Sequence, residues 1–190
     1  MTDFLMNFFG SRLLFPVLVF VTAAMSAGAA GYLLAVKEEN VDRMEKLPRW
    51  KIPGFILGIF VVAWCVPHAM PILPDSLHKY LVPLMGVAVI LSWFVLDHLF
   101  ARALGGYMIL TAHLFLRETF GVESVSNPFF AGMFLIYGTM GIFLCGLPYR
   151  LRDLVRLECR RKYRWIVPGF LILFTLTLLW AGIDYLRVSA

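Results

Sequence analysis

The sequence is poor in charged residues and in cysteine. Only 15% of its 190 residues are charged, whereas an average soluble protein has about 25%. The chain therefore lacks the polar side chains that cover a soluble domain. The three cysteines, Cys65, Cys145 and Cys159, are odd in number and widely spaced, so they give neither a disulfide framework nor a zinc-binding pattern.

The chain also lacks the short motifs of the common enzyme classes. It contains no phosphate-binding loop, no nucleophile elbow, no HExxH pair and no paired carboxylates within an apolar segment. Each of these motifs supplies groups that a particular chemistry requires. Their absence favours a non-enzymatic protein, and no cofactor or bound metal is expected.

Long apolar runs dominate the sequence instead. Hydrophobic residues make up 61% of the chain, and the mean hydropathy is +0.81. A run of about 20 apolar residues is the length of an α-helix that crosses roughly 30 Å of hydrocarbon. The sequence therefore predicts an all-α, polytopic integral membrane protein in which residues 1–190 form one helical membrane domain. Six transmembrane helices with short loops are expected, at about residues 13–36, 53–72, 80–97, 103–120, 128–147 and 166–186.

Basic residues are distributed unevenly between the connections of these spans. Thirteen Lys and Arg lie in the first, third and fifth connections, and four lie elsewhere. Because Lys and Arg favour the cytoplasmic side, we predict a multi-pass protein of the cell inner (cytoplasmic) membrane with both termini outside the cytoplasm. The first apolar run is too long for a typical signal-peptide core, so we interpret it as a retained helix, with cleavage after SAGAAG (residues 26–31) as the alternative.

A seven-residue phrase occurs twice, as RWKIPGF at residues 49–55 and as RWIVPGF at residues 164–170. Both copies lie where the chain is expected to re-enter the membrane, where Arg reaches headgroups, Trp suits the interface and Pro fits the first helical turn. Trp64 and Trp180 are expected near the opposite surface. One interpretation is that similar boundaries use similar residues. The other is a parallel repeat, with spans 1–2 and 5–6 as related hairpins around a central 3–4 hairpin.

The two long connectors differ in charge. Residues 37–49 place acids and bases at i,i+4 spacing with nearly balanced charge, which predicts a solvated helical cap. Residues 148–165 carry seven bases and an apolar stripe, which predicts a basic amphipathic helix on anionic inner-leaflet lipid; a docking surface for another subunit is the alternative. The net charge is +5, and the basic residues are expected to bind anionic lipid and not nucleic acid. The candidate headgroup ligands are Arg152, Arg156, Arg160, Arg161, Lys162 and Arg164.

The fourth span contains a polar face. Gly106, Leu110, His113 and Arg117 recur at helical spacing, and we place His113 close to the bilayer midplane. An ionisable residue at that depth faces the bundle interior by default. His113 is therefore interpreted as one interhelical hydrogen-bond donor, as part of a solute, lipid or proton site, or as a metal or haem ligand. The intramembrane polar candidates are His113, Arg117, Tyr137 and Thr175, with Thr22 and Ser26 at similar depth.

Other polar residues lie near the ends of the spans. Asp97, His98 and Arg102 form a charged turn at the inner edge, interpreted as a solvated hairpin cap or as an acid–base pair. CVPH, from Cys65 to His68, is interpreted as a kinked helix end. His68 and His78 are expected on the outer side, His98 at the inner edge and His113 near the middle, so no pair of haem ligands is predicted.

These features predict a non-enzymatic structural or accessory subunit of a membrane assembly. Small residues along the first span allow close helix packing within the chain or between chains, and partners are a homo-oligomer or other membrane subunits. The first alternative is a small transporter or lipid-handling protein that uses the polar layer around His113. The second is an enzyme that acts on a lipid-linked substrate at the inner-edge turn.

Overall fold

The computed structural model describes residues 14–37, 39–44, 46–121, 128–158 and 164–189. In these ranges the chain forms α-helices and two short 3₁₀ helices and contains no strand. Six helices are long and apolar enough to cross a membrane, which confirms the predicted all-α membrane fold. They are α1 (Leu14–Leu34), α3 (Lys51–Ala69), α4 (Asp75–Val95), α5 (Leu99–Gly121), α6 (Pro128–Gly146) and α8 (Ile166–Ser189).

Two shorter helices lie in the connectors. The predicted cap between the first two spans contains a single turn, α2 (Val41–Met44), followed by the 3₁₀ helix Leu47–Arg49. The predicted amphipathic helix is α7 (Tyr149–Glu158). Because α7 contacts α1, α2 and this 3₁₀ helix, these elements lie at one end of the bundle. We call it the basic end, and it also includes the turn at residues 96–98.

The predicted spans match these helices, with two shifted boundaries. α4 begins at Asp75 and α5 at Leu99, whereas the sequence predicted starts at about 80 and 103. A helix satisfies its own backbone hydrogen bonds, so it continues past the hydrocarbon into segments that carry charge. α3 likewise continues two residues beyond Pro67, and the 3₁₀ helix Met70–Ile72 follows it.

The six spans do not pair as the three expected hairpins. α5 packs against α3 and α6, α4 packs mainly against α3, and α1 pairs with α8. The expected hairpins of spans 1–2 and 5–6 around a central 3–4 hairpin are therefore not the main contacts, and that part of the repeat interpretation is wrong. A run of apolar residues identifies a span but not its neighbour.

Close backbone contact explains the extensive α5–α6 interface. A Cβ atom on Gly105 would lie 2.6 Å from the carbonyl oxygen of Gly141, and one on Gly141 would lie 2.8 Å from the carbonyl oxygen of Gly105. A small residue also serves the α1–α8 interface, where a Cβ atom on Gly182 would lie 3.1 Å from Cγ1 of Val19. Gly28 and Gly31 of α1 are exposed, with open space where a Cβ would lie.

The two copies of the phrase have different surroundings. A Cβ on Gly54 would lie 2.5 Å from the backbone nitrogen of Phe100, whereas one on Gly169 would meet nothing within 4 Å. The tryptophans of the phrase are both exposed, as expected. Trp64 is only 1% exposed and packs against Phe60, so its ring faces the bundle interior; its depth near the opposite membrane surface stays a prediction.

Candidate functional site

A neutral polar cluster lies inside the bundle. The hydroxyls of Thr22 on α1 and Tyr107 on α5 are 2.8 Å apart and share a hydrogen bond. The hydroxyl of Tyr137 on α6 has the side chain of Thr111 as its hydrogen-bond partner. All four side chains are at most 5% exposed. The cluster joins α1, α5 and α6 through polar groups that satisfy one another.

Aromatic rings close this cluster on the α8 side. The ring of Tyr137 stacks on Phe174 with centroids 4.5 Å apart, and Phe174 contacts Phe134 at 6.3 Å. Thr175, a predicted member of the polar layer, donates its hydroxyl proton to the Leu171 carbonyl of its own helix at 2.8 Å. The polar groups are thus enclosed by packed side chains.

Two members of the cluster were missed in the sequence. Tyr107 and Thr111 are four residues apart on α5, and Phe115 follows after four more, so the three share one buried stripe. The Thr111 hydroxyl also donates to the Tyr107 carbonyl at 2.7 Å. The i,i+4 spacing of Tyr107 and Thr111 is a signal that the sequence contains, but the predicted polar face was the one that carries His113.

His113 lies on the opposite face of α5. Two residues along a helix correspond to a rotation of about 200°, so His113 points away from the stripe of Thr111. It is exposed and does not hydrogen-bond Tyr137, whose partner is Thr111. The expectation that His113 faces the bundle interior is therefore wrong.

His113 instead contacts His68 at the far end of α3. The two ring centroids are 5.5 Å apart, with the planes at 75°, and His68 Nδ1 lies 3.0 Å from the Trp64 carbonyl oxygen. The prediction that His68 and His113 lie at different depths is therefore wrong. It failed because α5 begins at Leu99, which moves His113 about 21 Å from the basic end of its helix.

The histidine pair is accompanied by exposed polar side chains. Arg117 lies one helical turn beyond His113 and is exposed, as is Cys65 on α3. In the part of the chain that the structure describes, no three His, Cys, Asp or Glu side chains converge as metal ligands would. This outer patch consists of His68, His113 and Arg117 on the surface of the bundle.

The inner-edge turn lies among arginines from three elements. Burial lowers the pKa of His98, the guanidinium groups of Arg49, Arg152 and Arg102 lower it further, and the Asp97 carboxylate raises it. The structure thus joins the predicted charged turn to one predicted headgroup ligand, Arg152. We call Arg49, Asp97, His98, Arg102 and Arg152 the inner cationic cluster.

Local contacts hold the cluster in place. Arg102 donates from Nη1 to the Cys145 carbonyl at 3.3 Å, and Cys145 Sγ donates to the Arg102 carbonyl at 3.4 Å, which ties α5 to α6. Arg152 lies 3.6 Å from the Asp153 carboxylate. Nδ1 of His98 and Nε of Arg152 are buried and have no hydrogen-bond partner among the described residues.

The other predicted headgroup ligands are placed differently. Arg164 donates from Nη2 to the Leu34 carbonyl at 3.1 Å, so it caps the end of α1 and does not extend freely towards lipid. Arg156 is exposed. Arg160, Arg161 and Lys162, like Cys159, lie outside the described residues. The apolar stripe of α7 is engaged in part within the protein, because Val155 and Leu154 pack against α1 and α8.

An apolar groove opens between α3 and α4 close to the same end. Its volume is about 360 Å³, towards the lower end of the ~300–1,000 Å³ usual for ligand sites. Phe55 and Trp93 form an edge-to-face pair within it, and Nζ of Lys51 lies 5.9 Å from the centroid of the Trp93 ring. The groove is lined by Ile52, Phe55, Ile56, Ile90, Trp93 and Phe94.

Comparisons with known proteins add no family to this description. The chain matches no protein-family model, no curated protein and no solved structure at a significant level. What the structure establishes is a six-helix, multi-pass membrane protein with a neutral polar core, an outer histidine pair and an inner cationic cluster.

Proposed function

We propose that this chain is a non-enzymatic structural or accessory subunit of a membrane assembly. The packed interior of the described helices carries the proposal. The buried hydroxyl groups of Thr22 and Tyr107 share a hydrogen bond, and those of Thr111 and Thr177 donate to carbonyls of their own helices. A solute pathway needs polar groups that face an open cavity, and His113 and Arg117 lie on the outside of the bundle.

The helical content of the described residues supports the same role. Six of the helices have the length and apolarity of membrane spans. Nearly all of the described residues belong to these helices or to their connectors. A compact bundle of this kind supplies helix surface to a larger assembly.

Isolation of the native assembly tests the proposal. The tagged chain, expressed at its natural level, is extracted in two mild detergents and in polymer-bounded bilayer discs, and its mass is measured by native mass spectrometry. We expect a complex of constant stoichiometry in all three, made of further copies or of other membrane polypeptides. A single chain of 21.6 kDa in all three preparations would contradict an accessory role.

A small transporter or lipid-handling protein is the second candidate. The contact between His68 and His113, with Arg117 nearby, favours it, because ionisable groups on a membrane-exposed surface carry a cost that function offsets. Reconstituted liposomes distinguish the two candidates. The accessory role predicts that His113→Ala and Arg117→Ala leave the native complex intact and that purified chain alone does not change solute or lipid flux.

A further inference from the structure

The inner cationic cluster and the apolar groove lie at the same end of the bundle. Arg49 ends the 3₁₀ helix and Lys51 begins α3, and Ile52 and Phe55 in the first two turns of α3 line the groove. On the other wall, α4 ends at Val95, immediately after Trp93 and Phe94, and the chain then turns through Asp97 and His98. A charged surface and an apolar groove are therefore continuous along the same two helices.

The charge of this surface favours an anion. Guanidinium groups from the 3₁₀ helix, α5 and α7 act on His98, and the Lys51 ammonium lies over Trp93 on the wall of the groove. Among the described residues, the acids linked to this surface are Asp97, which acts on His98, and the partly exposed Asp153, which pairs with Arg152. Bases outnumber acids, so a monoanionic phosphate has complementary charge here.

We propose that the inner cationic cluster and the α3–α4 groove form one binding site for an anionic phospholipid. The phosphate lies among Arg49, Arg102 and Arg152, and one acyl chain occupies the groove below Lys51. The buried Nδ1 of His98 and Nε of Arg152, which lack partners among the described residues, supply hydrogen-bonding capacity towards the headgroup. This site is distinct from the diffuse lipid contact expected of a basic amphipathic helix, because residues of five helices build it: the 3₁₀ helix, α3, α4, α5 and α7.

Native mass spectrometry of the purified full chain tests the site without any partner protein. The chain in detergent is titrated with dioleoyl phosphatidylglycerol or with dioleoyl phosphatidylcholine. We expect one phosphatidylglycerol to be retained in preference to phosphatidylcholine. Arg49→Ala and Arg152→Ala should each weaken retention about fivefold, because a base close to an anionic headgroup contributes about 1 kcal/mol. Equal retention of the two lipids would overturn the proposal.

Matched variants separate this site from general charge and surface effects. Arg150→Ala, on the same helix as Arg152 but with its guanidinium over the Tyr149 ring, should bind as the wild type does. Ile56→Trp fills the groove and should weaken retention, whereas Ile59→Trp, exposed on α3 outside the groove, should not. If Arg150→Ala weakens retention as much as Arg152→Ala, binding is general attraction and the specific site does not exist.

Thermal unfolding of each variant in detergent identifies variants that lose structure, so that loss of binding is separated from loss of folding.

Two measurements on the wild type locate the lipid and identify its chemistry. Phosphatidylglycerol with a photoreactive acyl chain should label the peptides that contain Ile56 and Trp93, and labelling confined to other helices would exclude the groove. Inorganic phosphate at millimolar concentration should not displace the lipid; displacement would identify a free-phosphate site and overturn the lipid assignment.

Discussion

Glu158 is the one acidic side chain that is buried in the described part of the chain. It lies at the last turn of α7 and is 1% exposed, and neither carboxylate oxygen has a hydrogen-bond partner among the described residues. Burial raises the pKa of Glu158, and the nearby guanidinium of Arg164 acts against this shift. An ionised carboxylate without hydrogen bonds costs free energy, so this residue favours its protonated form in the folded state.

The shift predicts how stability changes with pH. Because the folded state binds this proton more tightly than the unfolded chain, its contribution is full below about pH 4.3, the usual pKa of Glu. This contribution to the free energy of unfolding is lost as the pH rises through the pKa that Glu158 has in the folded state. Glu158→Gln should therefore stabilise the protein at neutral pH, by about 1–2 kcal/mol, and should flatten this part of the profile. Thermal unfolding in detergent from about pH 4 to 8 measures it.

The control for Glu158→Gln is Glu39→Gln, because Glu39 is exposed. This second variant should leave both the unfolding temperature and its pH profile unchanged. A loss of stability in Glu158→Gln at neutral pH would mean that the carboxylate makes a favourable interaction as an anion.

At the same scale, the polar residues show what the sequence predicts well and what it does not. Tyr137 was predicted as a buried polar residue because its position in an apolar span gives its depth. The direction of His113 was not predictable, because α5 is apolar on several faces and a span without one apolar face does not define its inward side. Only the contact with His68 shows where it points.

At the scale of elements, the repeated phrase shows that identical residues serve different contacts. Gly54 lets the start of α3 approach the backbone of α5 at Phe100, whereas Gly169 in α8 has open space beside it. Arg49 joins the inner cationic cluster, whereas Arg164 caps α1 at Leu34. The shared letters reflect the membrane boundary, and the packing beyond it differs.

This difference gives a matched pair of variants. Gly54→Ala should destabilise the protein by about 1–3 kcal/mol, because the added methyl group meets rigid backbone. Gly169→Ala should be neutral or stabilising by up to about 1 kcal/mol, through the higher helix propensity of alanine. The free energy of unfolding of each variant is measured in detergent by titration with a denaturing surfactant. Equal effects would show that the two glycines pack alike.

The elements themselves were largely predictable from the sequence. Six apolar runs became six helices because length and apolarity are local properties of the chain. The boundaries were less predictable. The expected third span begins after three polar residues, Asp75, His78 and Lys79, whereas the helix α4 includes them. Hydrophobicity marks the hydrocarbon, and hydrogen bonding sets the end of the helix.

At the scale of the whole molecule, the structure gathers α2, α7 and the start of α5 at one end. The described basic residues of the first, third and fifth connections, among them Arg49, Arg102 and Arg152, belong to this end. Under the rule that Lys and Arg remain in the cytoplasm, we expect the basic end to face the cytoplasm and both termini to lie outside it. This orientation stays a prediction.

Reporter fusions measure the orientation. Alkaline phosphatase, which is active only outside the cytoplasm, should be active when fused after Ala190 and inactive when fused after Pro148. A fluorescent protein that folds only in the cytoplasm should give the reverse pattern. The pair of reporters controls for poor expression, and identical results at the two positions would contradict an arrangement of six spans with the basic end inside.

The pairing of α1 with α8 has a consequence for biosynthesis. Of the described helices, the one made first, α1, has its main neighbour in the one made last, α8, with residues 35–165 between them. At about 5–20 residues per second, α1 waits on the order of 10 s in the bilayer before α8 exists. During that interval the groups that finally meet α8, among them Val19 and Phe20 beside Gly182, are open to lipid or to an insertion factor. If translation stops before Ile166, the nascent bundle lacks α8 and therefore the α1–α8 interface.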